Sequence, residues 1–179
     1  MIEVFAHKRF VWLSLLAFLL TFAVCTFIVN PQIDGKDGSG LLALQLAFDK
    51  EVGIKIIESW GAEGRAFYQR WSFTDYIYAA AYSIFLASLL SSLAVRTGKS
   101  DALMFFITPL IALSAGVFDC AENSLEAAFI NNPATFSADL FYFHSIIALC
   151  KWAAIGVALM TIFILALQCL VLAVSQHRQ

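Results

Sequence analysis

The chain has 179 residues, 61% of them hydrophobic and 13% charged, with a formal net charge of −2 and a mean hydropathy of +0.81. A soluble domain is nearer 45–50% apolar and about 25% charged, so this composition reads as an integral membrane protein. There is no basic stripe to carry nucleic acid, which excludes that partner. Cys25, Cys120, Cys150 and Cys169 stand in apolar runs with no C-x-x-C pair. That pattern argues against a zinc ribbon or a thioredoxin-like motif and reads as small buried hydrophobes.

Lys8 and Arg9 precede an uncharged run from Phe10 to Val29, about 20 residues and enough to cross a ~30 Å hydrocarbon core. A cleaved signal peptide would have a shorter apolar region and a small-x-small site, so this run reads as an uncleaved first span. Asn30 to Trp71 is a polar loop of roughly 42 residues, too long to be structureless. Its start, Asn30-Pro31 through Asp34 to Gly40, carries strong turn chemistry. Asp49 is placed to cap a helix reaching Trp60, ended by Gly61. Phe48, Val52, Ile56 and Trp60 recur at helical spacing, so this helix either lies on the membrane surface or caps the bundle. Gly61 to Trp71 reads as a second short helical piece.

The second span covers Phe73 to Val95 and closes at Thr97-Gly98. The third starts after Ser100, a natural N-cap, includes Pro109, a candidate kink, and runs from 102 to 126. A turn at Asn131-Asn132-Pro133 and a cap at Ser137 lead to the fourth span, apolar from Leu140 to Val174 except for His144 and Lys151. The expected fold is therefore an all-α, single-domain polytopic four-helix bundle, with spans 10–29, 73–95, 102–126 and 140–174. An extracytoplasmic amphipathic helical loop, 30–72, joins the first two spans. Lys8, Arg9, Arg96, Lys99 and Arg178 fall on the side of both termini, which makes that side cytoplasmic.

The third span ends in Asp119-Cys120-Ala121-Glu122-Asn123-Ser124-Leu125-Glu126. At about 100° per residue, Asp119, Glu122, Asn123 and Glu126 share one stripe of the helix. The stripe continues inward as Gly116, Ala115, Ala112 and Thr108, small residues that admit a close helix neighbour. At 1.5 Å per residue, Asp75, Asp119 and Lys151 stand about 30, 25 and 35 Å above the inner ends of their spans, a single stratum. Asp75, Tyr78 and Tyr82 share a face of the second span; His144, Ala148 and Lys151 share one of the fourth. A lone charge near the bilayer centre costs ~3 kcal/mol, so Lys151 is expected to face Asp119 or Glu122. With one obvious cation against four nearby acids, some carboxylates must be protonated, hydrogen-bonded, solvated or bound to a cation.

Plainer readings stand beside these. Ser72-x-x-Asp75 can be a capping box. Glu126 can face solvent above the membrane, and His144 can be an interfacial histidine. Trp71, Tyr76 and Trp152 fit an aromatic belt. The whole cluster can be polar glue between helices.

The Asp119-x-x-Glu122-Asn123 motif, with Gly61-Ala62-Glu63-Gly64-Arg65, Tyr68, Asp75, Tyr82 and Lys151-Trp152, resembles a set of small uncharacterised four-span bacterial membrane proteins. The resemblance spans Gly61 to Trp152. It implies the four-span topology and a bacterial inner membrane, and carries no activity.

Three functions compete. A non-enzymatic accessory protein would hold membrane lipid, another amphiphile or a partner helix in a polar pocket at the outer leaflet; a second copy of the chain or another membrane protein would be its partner. An intramembrane lipid-modifying enzyme would use Asp119 and Glu122 for acid–base work. Its metal version would draw on Glu122, Glu126 or Asp119 with His144. One histidine in the spans is too few for a typical catalytic zinc site, so no metal or other cofactor is assigned, although an oxygen-rich site for magnesium, manganese or iron stays open. A proton- or cation-coupled transporter is disfavoured, because the inner halves of the spans carry no ionisable residue.

Overall fold

The computed structural model describes residues 2–33, 40–97 and 102–176. Among them the chain is all-α, with eight helices and no strand. In chain order these are α1 (Ile2–Ala6), α2 (Lys8–Ile33), α3 (Leu41–Gln45), α4 (Lys50–Ser59), α5 (Gly61–Trp71), α6 (Phe73–Arg96), α7 (Ala102–Asn131) and α8 (Ala138–Gln176). Among the described residues, α2, α6 and α8 are long and apolar enough to cross a membrane. These helices suggest an integral membrane protein. Helix α7, where the third span was expected, is 30 residues long and runs unbroken through Pro109.

Local chemistry explains most boundaries. The Asp49 side chain accepts from the Val52 backbone N–H at 3.0 Å and starts α4. Gly61, at φ +71°, occupies the left-handed region at the α4–α5 junction. Ser137 accepts from the Leu140 N–H at 3.1 Å and starts α8. The turn before it is closed by Thr135 and Phe136 N–H groups on the Asn132 carbonyl. Three expectations fail or fall outside. The Ser72 side chain makes no cap bond, so the Ser72-x-x-Asp75 box does not form; Asp75 is instead drawn into the interior. The turn expected from Asn30-Pro31 does not start there, because α2 continues to Ile33; its Asp34-to-Ser39 part and the Ser100 cap lie outside the described residues.

Helix α6 is the centre of the arrangement. It packs on α1, α2, α7 and α8, while α7 and α8 also pack on each other. The close α6–α7 approach depends on the small stripe read from the sequence. Ala112 and Ala115 are fully buried there, and a Cβ on Gly116 would collide with the Ser83 side chain and approach the Ala79 carbonyl to 3.0 Å. Tyr82 ties the same pair together, its hydroxyl donating to the Ala115 carbonyl at 3.1 Å.

Helices α3, α4 and α5 form a cap. Leu44, Ile56, Ile57, Trp60 and Tyr68 join Val29, Ile33, Phe129, Ile130, Phe136 and Phe141 in one buried cluster. Of the two placements expected for the α4 helix, capping the bundle is the one adopted. Its inward face is rotated from the expected stripe: Gly53, Ile56 and Ile57 are buried, whereas Val52 is 44% exposed. The reason is Gly53, whose missing side chain is replaced by the Phe141 ring of α8.

Gly116→Val should lower stability by about 1–3 kcal/mol, since the added methyls meet packed side chain and backbone. Gly156→Ala, with nothing within 4 Å of the new Cβ, should be neutral or slightly stabilising. Thermal unfolding of both variants in detergent checks the pair.

Candidate functional site

The charged stripe of α7 meets α8 inside the helix assembly. Lys151 Nζ donates to Asp119 Oδ1 at 3.3 Å and to Glu122 Oε2 through a shorter contact. The ammonium also sits 5.3 Å from the centre of the Trp152 ring. One face of α8 carries Lys151, Ala148 and His144, all buried, as the heptad-like spacing required. Two turns above Lys151, His144 Nε2 lies 3.6 Å from Glu122 Oε1 and 3.6 Å from Glu126 Oε2. Glu122 therefore links two subsites, one oxygen turned to Lys151 and the other to His144.

Two plain readings from the sequence are corrected here. Glu126 does not face solvent: it is 0% exposed. His144, at 1% exposed, is not an interfacial side chain. The reason is the cap, which covers both side chains. Tyr68 of α5 is buried beside Glu126, and Phe141 stands 5.4 Å from the His144 ring. Burial, and then the Glu126 carboxylate, hold the Tyr68 hydroxyl well above its ordinary value, so it remains a protonated donor.

The second component is a cavity of about 430 Å³. It lies between α2, with Phe18, Phe22 and Cys25, and α8, with Ile155 and Leu159, against the Tyr78, Tyr82 and Leu86 face of α6. Because α2 leans on α6, a cleft is left on the α8 side. Leu42 and Gln45 of α3 line it from the cap end, and the Trp152 indole N–H donates to Gln45 Oε1 at 3.3 Å. Its walls are largely apolar. Its polar lining includes Asp75, Asp119, Asn123 and Lys151.

The structure thus divides the expected residues between two environments. Asp75, Tyr78, Tyr82, Asp119, Asn123 and Lys151 line the cavity, whereas Glu122, Glu126 and His144 do not. Asp75 accepts a long bond from Cys25 Sγ, 3.8 Å, and has no ion-pair partner among the described residues. Tyr68 was named only through a resemblance, and Phe18, Phe22 and Gln45 carried no signal in the sequence, because only the tertiary arrangement brings α2 and α3 to this site.

No protein-family model, curated protein or solved structure matches the chain.

The cap gives a direct test. Gly53→Val should displace Phe141, cost about 1–3 kcal/mol by overpacking, and expose His144 to carbethoxylation by diethyl pyrocarbonate. Peptide mass spectrometry of the native protein should show the reagent on exposed His7 and not on His144.

Proposed function

We propose that the chain is a four-span integral membrane protein, α7 being the additional span, that binds an amphiphile in the cleft between α2 and α8. The proposed protein is an accessory or carrier without turnover of its own. The observation that carries this reading is the cavity, with apolar walls suited to a hydrocarbon chain and charged and polar side chains suited to a head group. Pockets of this size serve small-molecule sites generally. Intramembrane charge that lines a cavity, rather than being packed away, is the usual mark of a binding path.

The lining also favours one head-group chemistry. Lys151 is already engaged by two carboxylates, so an anionic group has no free cation to meet there. Asp75 has no such partner, and Asp119 still offers its second oxygen. A head group that donates hydrogen bonds, through an amine or hydroxyls, complements that set. By the lysine and arginine distribution the cap faces outward and the cavity lies toward the outer leaflet, in what the resemblance implies is a bacterial inner membrane. A second copy or a partner membrane protein could receive the amphiphile.

A lipid-modifying enzyme is the alternative, and buried carboxylates beside a lysine speak for it. The geometry weakens it: Asp119 lines the cavity, whereas Glu122 stands behind Lys151 and outside the lining. An acid–base pair acting on one substrate needs both groups within hydrogen-bond reach of it.

Native mass spectrometry of the detergent-solubilised protein tests the proposal. The wild type should carry one lipid-mass adduct, and Ile155→Trp, which fills the cleft, should lose it while eluting normally on gel filtration. An adduct retained equally by Ile155→Trp and Leu159→Trp would contradict binding in this cavity.

A further inference from the structure

Beyond the amphiphile cavity, we infer that Glu122, Glu126 and His144 form a binding site for one divalent transition-metal ion. It does not depend on what occupies the cavity, because none of the three residues lines it.

The first observation is geometric. Glu122 and Glu126 are one helical turn apart on α7, and His144 faces them from α8. One ligand atom from each lies within 4.8 Å of the other two. His144 Nε2 is 3.6 Å from an oxygen of each carboxylate, too far for a hydrogen bond. Two ligands held about 2.1 Å from a tetrahedral ion stand about 3.4 Å apart. The three groups therefore converge on a common point at nearly the spacing an ion would impose.

The second observation is independent of that spacing. Glu122 Oε1, both oxygens of Glu126 and both ring nitrogens of His144 are buried without hydrogen-bond partners. Glu122 and Glu126 are 0% exposed and His144 1%. Buried polar atoms are nearly always satisfied, and three of these orphans, Glu122 Oε1, Glu126 Oε2 and His144 Nε2, lie together and indicate a missing partner. A hydrogen-bond donor could satisfy the oxygens, but a cation satisfies them and an unprotonated imidazole nitrogen together.

Charge gives the same answer. Asp119 and Glu122 face the Lys151 ammonium and Glu126 faces His144, so three buried carboxylates share one ammonium among the described residues. One divalent ion balances the excess. The donor set selects the class: two carboxylates with an imidazole suit zinc, manganese or ferrous iron, whereas magnesium and calcium favour all-oxygen shells. Three protein ligands also leave room for a further one. All three ligands belong to α7 and α8, so the ion would pin those two helices to each other beneath the α5 cap.

The test uses the full chain in detergent, produced in medium supplemented with Zn²⁺ and Mn²⁺ and purified without chelator. Elemental analysis should find one ion per chain. Removing it should lower the melting temperature, and Zn²⁺ or Mn²⁺ should restore it. Glu126→Gln and His144→Gln should each weaken Mn²⁺ binding, read by electron paramagnetic resonance, roughly tenfold or more; Asp75→Asn should not. If these variants fail to fold, X-ray absorption of the Zn²⁺-loaded wild type decides instead, and should show imidazole scattering in an oxygen-rich shell. A folded wild type that neither carries nor binds either ion would overturn the proposal, leaving an imidazolium between two carboxylates. Equal binding by wild type and both variants, or a shell without imidazole, would overturn it as well.

Discussion

The structure depends on one buried interaction, Lys151 of α8 held between Asp119 and Glu122 of α7. An ammonium this deep is tolerated only when its charge and protons are met by protein groups. That requirement sets the rotation of α7 and α8 about their axes. Once Lys151 faces Asp119 and Glu122, the spacing of seven residues puts His144 against Glu122 and Glu126. The same rotation turns the Gly116, Ala115 and Ala112 side of α7 toward α6, and backbone contact with Ser83 and Ala79 becomes available. Charge pairing and close packing thus support a single register.

The arrangement around α6 turns that register into two different places. On one side, α7 and α8 close over Glu122, Glu126 and His144, and α4 and α5 cover them through Phe141 and Tyr68. On the other, α2 rests on α6 and leaves a cleft lined by hydrocarbon and aromatic side chains. Lys151 and Asp119 stand at the boundary, belonging to both. Lys151 stands between the cleft and the closed cluster, paired on the cluster side with Glu122.

Much of this was legible in the sequence, for identifiable reasons. The start of α6 at Phe73, the Asp49 and Ser137 caps and the Asn132 turn are local properties. Equal depth of Asp119 and Lys151, and the shared face of His144 and Lys151, follow from helical rise and period alone. The burial of Glu126 did not follow, because the span expected from the sequence ends there; it is the cap, a tertiary feature, that excludes water. The α4 face was misread through Val52 for a related reason. Hydrophobic periodicity weighs side chains that are present, and at Gly53 the contact is made by the absence of one. Asp75 was open to two readings, a capping residue at the helix start and a member of the polar layer. The cleft beside α6 gives it an interior partner in Cys25, in line with the second. The cavity was expected only as a polar pocket; its apolar walls come from α2, α6 and α8, and the uniform hydrophobicity of α2 gave no hint of which face looks inward.

The most direct test of the central claim is a double-mutant cycle between Glu122 and Lys151, read as unfolding free energy in detergent. If Lys151 is locked between the helices, Glu122→Gln and Lys151→Met should be coupled by more than about 1 kcal/mol, with the double mutant more stable than Lys151→Met alone. Effects that add to within about 0.5 kcal/mol would mean that the two side chains do not depend on one another, and the account built on their pairing would fail.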